Sequence, residues 1–179
     1  MIELFNKTTI KVIRLLDGGP THLRDISARL ETSPGYISKI LDTLNKQGIT
    51  EETKERNKKI IRLNDGNVLF RRIKAIINIE NILTKKGFRR LNKDHNLGIY
   101  GSIADGTNDE YSDIDMWIYG VKIDSSIQPI IRELENELKR KINLLILNKK
   151  RLESIKDNDY EFYLRLKLGS FSTKGGIFD

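Results

Sequence analysis

The chain has 179 residues, of which 38% are hydrophobic and 32% charged, with a formal net charge of +7; such a mix can bury a core and is unlike disordered, collagenous or coiled-rod chains. No apolar run reaches the roughly 18 to 20 residues of a membrane helix, and the opening Met1-Ile2-Glu3-Leu4-Phe5 lacks the basic stretch of a secretion signal, so a cytoplasmic protein without a membrane partner is expected. With no cysteine and only His22 and His95, thiolate chemistry is excluded and a histidine metal site disfavoured, which leaves oxygen donors for any metal.

The charge is unevenly placed. Residues 1–66 hold 12 Lys/Arg against 9 Asp/Glu, residues 67–98 hold 8 against 2, and residues 99–179 hold 12 against 14. A basic front half joined to a mildly acidic back half suggests that the front meets a polyanion while the back does something else. The length accommodates two small domains.

In chain order, Ile10, Ile13 and Leu16 fall at helical spacing before Gly18-Gly19-Pro20 stops the run. Thr21 is the expected N-cap of a second helix with Leu23, Ile26 and Leu30 on one face. Ser33 as N-cap, with Pro34 at the first helical position, starts a third helix carrying Ile37, Ile40, Leu41 and Leu44, which Gly48 ends. The period then changes to that of strands over Ile49 to Lys54 and Lys58 to Leu63, joined by the polar Glu55-Arg56-Asn57.

Three helices and a basic-tipped hairpin resemble a winged helix-turn-helix, and the phrasing from Thr21 through Leu41 is similar to that family. The resemblance implies a DNA-binding domain over residues 1–66 whose third helix enters the major groove of double-stranded DNA. Ser33, Tyr36, Ser38, Lys39, Thr43 and Lys46 would face the bases and backbone, and Lys54, Arg56, Lys58 and Lys59 of the wing would meet phosphates.

Residues 67–88 read as a connecting helix that runs from Asn67 to Lys86 and ends at Gly87. Beyond it, in 89–179, strands and helices alternate: strands over Leu97 to Tyr100 and Asp113 to Tyr119, a helix from Ser125 to Lys141, a strand over Ile142 to Leu147, then short helices from about Arg151 and Tyr160. The fold class expected is therefore α+β: a winged helix-turn-helix, a connecting helix, and a small α/β domain with a mixed sheet.

The chemistry concentrates between Ile99 and Asp115. A strand runs into Gly101-Ser102, and after ten intervening residues Asp113-x-Asp115 enters the next strand. Glycine lets a backbone approach a ligand closely, and Ser102 with the N–H groups of a helix start offers donors to phosphate oxygens. Residues i and i+2 of a strand point to one side about 6.6 Å apart, so Asp113 and Asp115 can address one divalent ion while Ile114 and Met116 enter the core. Hard oxygen ligands select magnesium or manganese. Asp105, Asp109 and Glu110 read as loop charges, Asp105 being the one that could touch the site.

Gly101-Ser102 followed at this spacing by Asp113-x-Asp115 resembles the signature of the DNA polymerase beta-like nucleotidyltransferases, and the small module resembles their minimal branch. The resemblance implies a nucleoside triphosphate held at Gly101 and Ser102, magnesium bound by Asp113 and Asp115, and transfer of a nucleoside monophosphate to a hydroxyl. It also implies, as one acceptor, a partner protein such as a cognate toxin; a second copy of the chain is a further candidate partner. Active members of the family place a third carboxylate on a later strand. Here that strand, Lys141 to Asn148, offers Asn143, which carries no charge and cannot act as a base at neutral pH. Three readings follow: a DNA-tethered, magnesium-dependent nucleotidyltransferase, with ATP as the expected donor; a winged-helix regulator that senses a nucleotide in a catalytically weakened domain; or a scaffold in which neither site functions.

Overall fold

In the computed structural model, which describes residues 6–55, 58–120 and 127–178, the chain divides into two units, Met1–Arg71 and Arg72–Asp179. The first begins with helices α1 (Lys7–Asp17), α2 (Leu23–Arg29) and α3 (Pro34–Lys46), and continues into an antiparallel hairpin of β1 (Thr50–Glu55) and β2 (Lys58–Leu63). Helix α3 buries the whole stripe its spacing marks, Ile37, Ile40, Leu41 and Leu44, whereas α1 buries Val12 with Ile13 and Leu16 and leaves Ile10 half-buried, and α2 buries Ile26 while Leu23 and Leu30 stay half-buried. Ser33 caps α3 as expected, its hydroxyl accepting from the Tyr36 amide at 3.4 Å. The cap of α2 is instead His22, because Thr21 is taken up in an isolated antiparallel bridge to Ile61 of the hairpin. His22 Nδ1 hydrogen-bonds the Lys59 carbonyl at 2.8 Å, fixing the same junction. This is the layout of a winged helix-turn-helix.

Helix α4 (Val68–Leu83) begins in the first unit and continues into the second, where α5 (Lys86–Asp94) precedes β3 (Asn96–Tyr100), α6 (Gly101–Asp105), β4 (Ile114–Tyr119), α7 (Ile127–Leu138), β5 (Ile142–Leu147), α8 (Lys149–Asn158), α9 (Tyr160–Gly169) and the short β6 (Phe171–Ser172). The sheet order is β5-β4-β3-β6; β4 and β5 run parallel while the other pairs are antiparallel, so the sheet is mixed. Gly87 does not end a helix. It lies inside α5, where an added Cβ would sit 3.1 Å from Leu134 Cβ and 3.3 Å from the Ile130 carbonyl, so glycine is there to let α5 press on α7. Glu137 of α7 accepts from the backbone N–H groups of Lys86 and Gly87 at the start of α5.

Two apolar layers cover the sheet. On one face Leu97, Ile99, Ile114, Met116, Ile118 and Ile142 pack with α5, α6 and α7 and with Ile82 of α4. On the other, Trp117 and Leu147 pack with Leu152 of α8, Leu166 of α9 and the tail residues Ile177 and Phe178. Trp117 fits because its neighbour on β3 is Gly98, whose missing Cβ would fall 2.0 Å from the indole. By strand alternation Asp113 and Asp115 lie on the Trp117 side, so that side is a second core beyond the carboxylates and not a bare surface.

Candidate functional site

Asp113 stands immediately before β4 and Asp115 within it. The approach to Asp113 is set by a tight turn: Asp109 Oδ1 accepts from Ser112 Oγ at 2.7 Å and from the Tyr111 amide at 2.9 Å. These bonds stabilise the charged form and hold the Asp109 carboxyl below its ordinary range. The turn is tied from outside by Arg140, which donates to the Ser112 carbonyl at 3.0 Å, and by Asn78, which donates to the buried Asn108 at 2.7 Å.

Gly101 opens α6 with φ at 69°, in the left-handed region that glycine alone adopts cheaply. A Cβ there would lie 2.4 Å from Asp115 Oδ2, so the carboxylate occupies the space a side chain would need. Antiparallel pairing sets Tyr100 opposite Asp115. Burial, and then the Asp115 charge, raises the Tyr100 phenol above its ordinary value of 10.0, while Arg151 acts in the opposite direction. Ser102, half-buried, follows at the start of α6.

Parallel register sets Asn143 beside Asp115. The Asn143 amide nitrogen donates to Asp115 Oδ1 at 3.1 Å and to Asp113 Oδ2 at 3.5 Å, so both carboxylates converge on one point and a neutral donor occupies it. Among the described residues no cluster of three or more His, Cys, Asp or Glu forms a metal site. The donor set nevertheless suits one hard cation: two carboxylates that repel each other unless a positive charge sits between them, and an amide whose oxygen becomes a donor when the group turns over.

Beside Gly101 and Asp115 opens a pocket of about 510 Å³ that Tyr100 and Asp105 also line. Its other wall is α9, through Glu161, Phe162, Leu164, Arg165 and Leu168. Nothing in the sequence singles out this wall: the helical spacing of 161, 165 and 168 predicts a shared face, yet no local signal says that the face looks onto Asp115.

In the first unit the expected DNA-facing residues divide. Tyr36, 44% exposed, and the exposed Lys39 and Lys46 project from α3. Ser33 serves as the cap, Ser38 is half-buried, and Thr43 donates back to the Lys39 carbonyl at 3.0 Å. On the hairpin Lys54 is exposed and Lys59 pairs with Glu52 at 2.8 Å, a bond that raises the Lys59 pKa. Arg56 and the side chain of Lys58 lie outside the described residues. Arg62, paired with Glu51 at 2.9 Å, adds a cation beyond those expected of the wing.

Residues 82–164 match the family model of the nucleotidyltransferase domain, so the second unit carries a domain of that class. The chain as a whole thus joins a winged helix-turn-helix unit to a nucleotidyltransferase domain. No curated protein matches it significantly. Among solved structures, a possible transcriptional regulator for arsenical resistance is 19% identical, with 52% of this chain and 92% of that one covered and a TM-score of 0.37. The homodimeric winged helix-turn-helix DNA-binding domain of a possible ArsR-family regulator from Mycobacterium bovis is 20% identical, covering 48% of this chain and 80% of that one at a TM-score of 0.39. At these scores the winged-helix assignment rests on the arrangement of α1, α2, α3 and the hairpin in this chain. No helix among the described residues is long and apolar enough to cross a membrane.

Proposed function

We propose that the protein is a DNA-tethered nucleotidyltransferase, in which the second unit transfers a nucleoside monophosphate from a magnesium-bound nucleoside triphosphate to a hydroxyl. The observation that carries this reading is the convergence of Asp113 and Asp115 on one point beside the close approach of Asp115 to Gly101. Asp113 and Asp115 would hold the magnesium, with the Asn143 amide oxygen as a neutral third donor. When bound, the ion neutralises phosphate charge and orients the triphosphate for displacement. Gly101 and Ser102 would admit and bind phosphate oxygens. The acceptor oxygen forms a bond to the α-phosphorus as the bond to the bridging oxygen breaks, and pyrophosphate leaves. The hydroxyl proton goes to solvent, because Asn143 cannot accept it. The first unit would hold duplex DNA through Tyr36, Lys39 and Lys46 of α3 and the wing cations.

One observation favours a second reading, a regulator that binds a nucleotide without turning it over: an amide, not a carboxylate, faces the two aspartates. Incubating the protein with α-labelled ATP and magnesium separates the two. Label on protein or nucleic acid that disappears in Asp115→Ala supports transfer. Magnesium-dependent ATP binding with no labelled product leaves the regulator, and absence of any ATP binding removes both.

A further inference from the structure

Arg165 lies one residue past the stretch that matches the family model, on α9, beside the buried Leu166 that packs on Trp117 and Leu147. Among the described residues lining the pocket beside Asp115 it alone is cationic, against three carboxylates from Asp105, Asp115 and Glu161. Its guanidinium is exposed and lies over the Phe162 ring, 6.0 Å from the centroid. Phe162 is itself braced edge-on against Tyr100, the residue that precedes Gly101, with ring centroids 6.2 Å apart. A chain of contacts thus ties the guanidinium to the backbone turn at which the proposed phosphate site begins.

The electrostatics of the pocket demand such a group. A triphosphate brings several negative charges into a space already bordered by three carboxylates, and one divalent ion held by Asp113 and Asp115 offsets only part of them. A planar, permanently charged fork matches phosphate oxygens two at a time. From these observations we infer that Arg165 binds the phosphates of the donor nucleotide beyond the α-phosphate, so that α9 makes the site prefer a triphosphate over a monophosphate. The inference rests on the nucleotidyltransferase reading and adds to it the residue that counts phosphates. Arg151, which acts electrostatically on Tyr100 from the first turn of α8 but does not line the pocket, is a matched cation without this role.

The test is calorimetric titration of the full chain, in magnesium, with ATP, ADP and AMP. Charge-assisted hydrogen bonds of this kind lead one to expect Arg165→Gln to weaken ATP by about tenfold to a hundredfold, ADP less and AMP hardly at all. Arg165→Lys should recover part of the ATP loss, since a point charge replaces the fork. Thermal denaturation should be unchanged because the side chain is exposed. Three results overturn the inference while leaving the nucleotidyltransferase reading intact: ATP affinity unchanged in Arg165→Gln, equal losses for ATP and AMP, or an equal loss in Arg151→Gln. Failure of the native protein to bind any of the three nucleotides overturns both.

Discussion

The two surfaces that bear the charged candidates are organised on opposite principles. On the winged-helix unit the cations stand apart on exposed elements, and two of them, Lys59 and Arg62, are held by hairpin glutamates. Exposed pairs of this kind contribute little to stability, so a phosphate can displace the glutamate at small cost. On the nucleotidyltransferase unit, groups 28 and 30 residues apart in the chain meet within hydrogen-bond reach because the β4 and β5 register fixes them. A surface of the first kind tolerates the loss of any one member and tracks salt. A site of the second kind fails when one member goes.

The sharpest way to break that contrast is to remove the carboxylates. Asp113→Ala with Asp115→Ala should abolish magnesium-dependent ATP binding while far-ultraviolet circular dichroism stays native, since both side chains lie outside the apolar layers; unchanged affinity by calorimetry would sink the metal assignment. Next in size is Asn143→Asp, which restores a third charge and a base. General-base help is worth about 10² to 10⁴ in rate, and label transfer should rise within that range; a rate that stays level would mean that the proton leaves by another route. On the other surface, changing Lys39 and Lys54 to Ala should weaken duplex DNA binding uniformly across sequences and flatten the plot of log affinity against log salt by about 0.9 for each phosphate no longer neutralised. A fluorescence anisotropy series at several salt concentrations reads this directly, and an unaltered slope would remove both lysines from the interface.

A smaller effect concerns packing alone. Gly87→Ala forces α5 away from Leu134 and Ile130, and overfilling of this kind costs about 1 to 3 kcal/mol. Chemical denaturation should show that loss with nucleotide affinity preserved. The smallest effect is on Tyr100. Its raised pKa means that the folded state keeps the phenol proton longer than the unfolded state. The associated stability is present below the unfolded value of 10.0 and is lost as pH rises through the higher folded value. In an ultraviolet titration Tyr100 and Tyr111 should both ionise late, and Asp115→Asn should shift Tyr100 back toward 10.0 while Tyr111, raised by Glu110, stays high.

Those parts of the site that depend on local backbone rules are legible in the amino-acid sequence. Gly101, Asp113 and Asp115 sit where strand period and glycine geometry predict, and Asn143 falls beside Asp115 because the run Ile142 to Leu147 has one polar position facing that way. Long-range packing is not legible there. A glycine that ends helices elsewhere sits within α5 because α7 crosses there, a threonine suited to a cap is used by the hairpin, and α9 reaches the pocket through Trp117 and Phe162. None of these contacts leaves a periodic mark in its own segment.

The α9 wall is fastened differently from the sheet it faces. It is held through the Trp117 layer, by Trp117 Nε1 donating to Ser170 Oγ at 3.1 Å and Tyr163 donating to the Phe178 carbonyl at 3.1 Å. Of the layer formed with α5, α6 and α7, α6 also touches α9. We expect α9 to open as a partial-unfolding unit ahead of the strands that carry the aspartates. In hydrogen-exchange terms, its amides should open at a lower free energy than those of β3 and β4, and a bound nucleotide that touches Arg165 would slow that opening first.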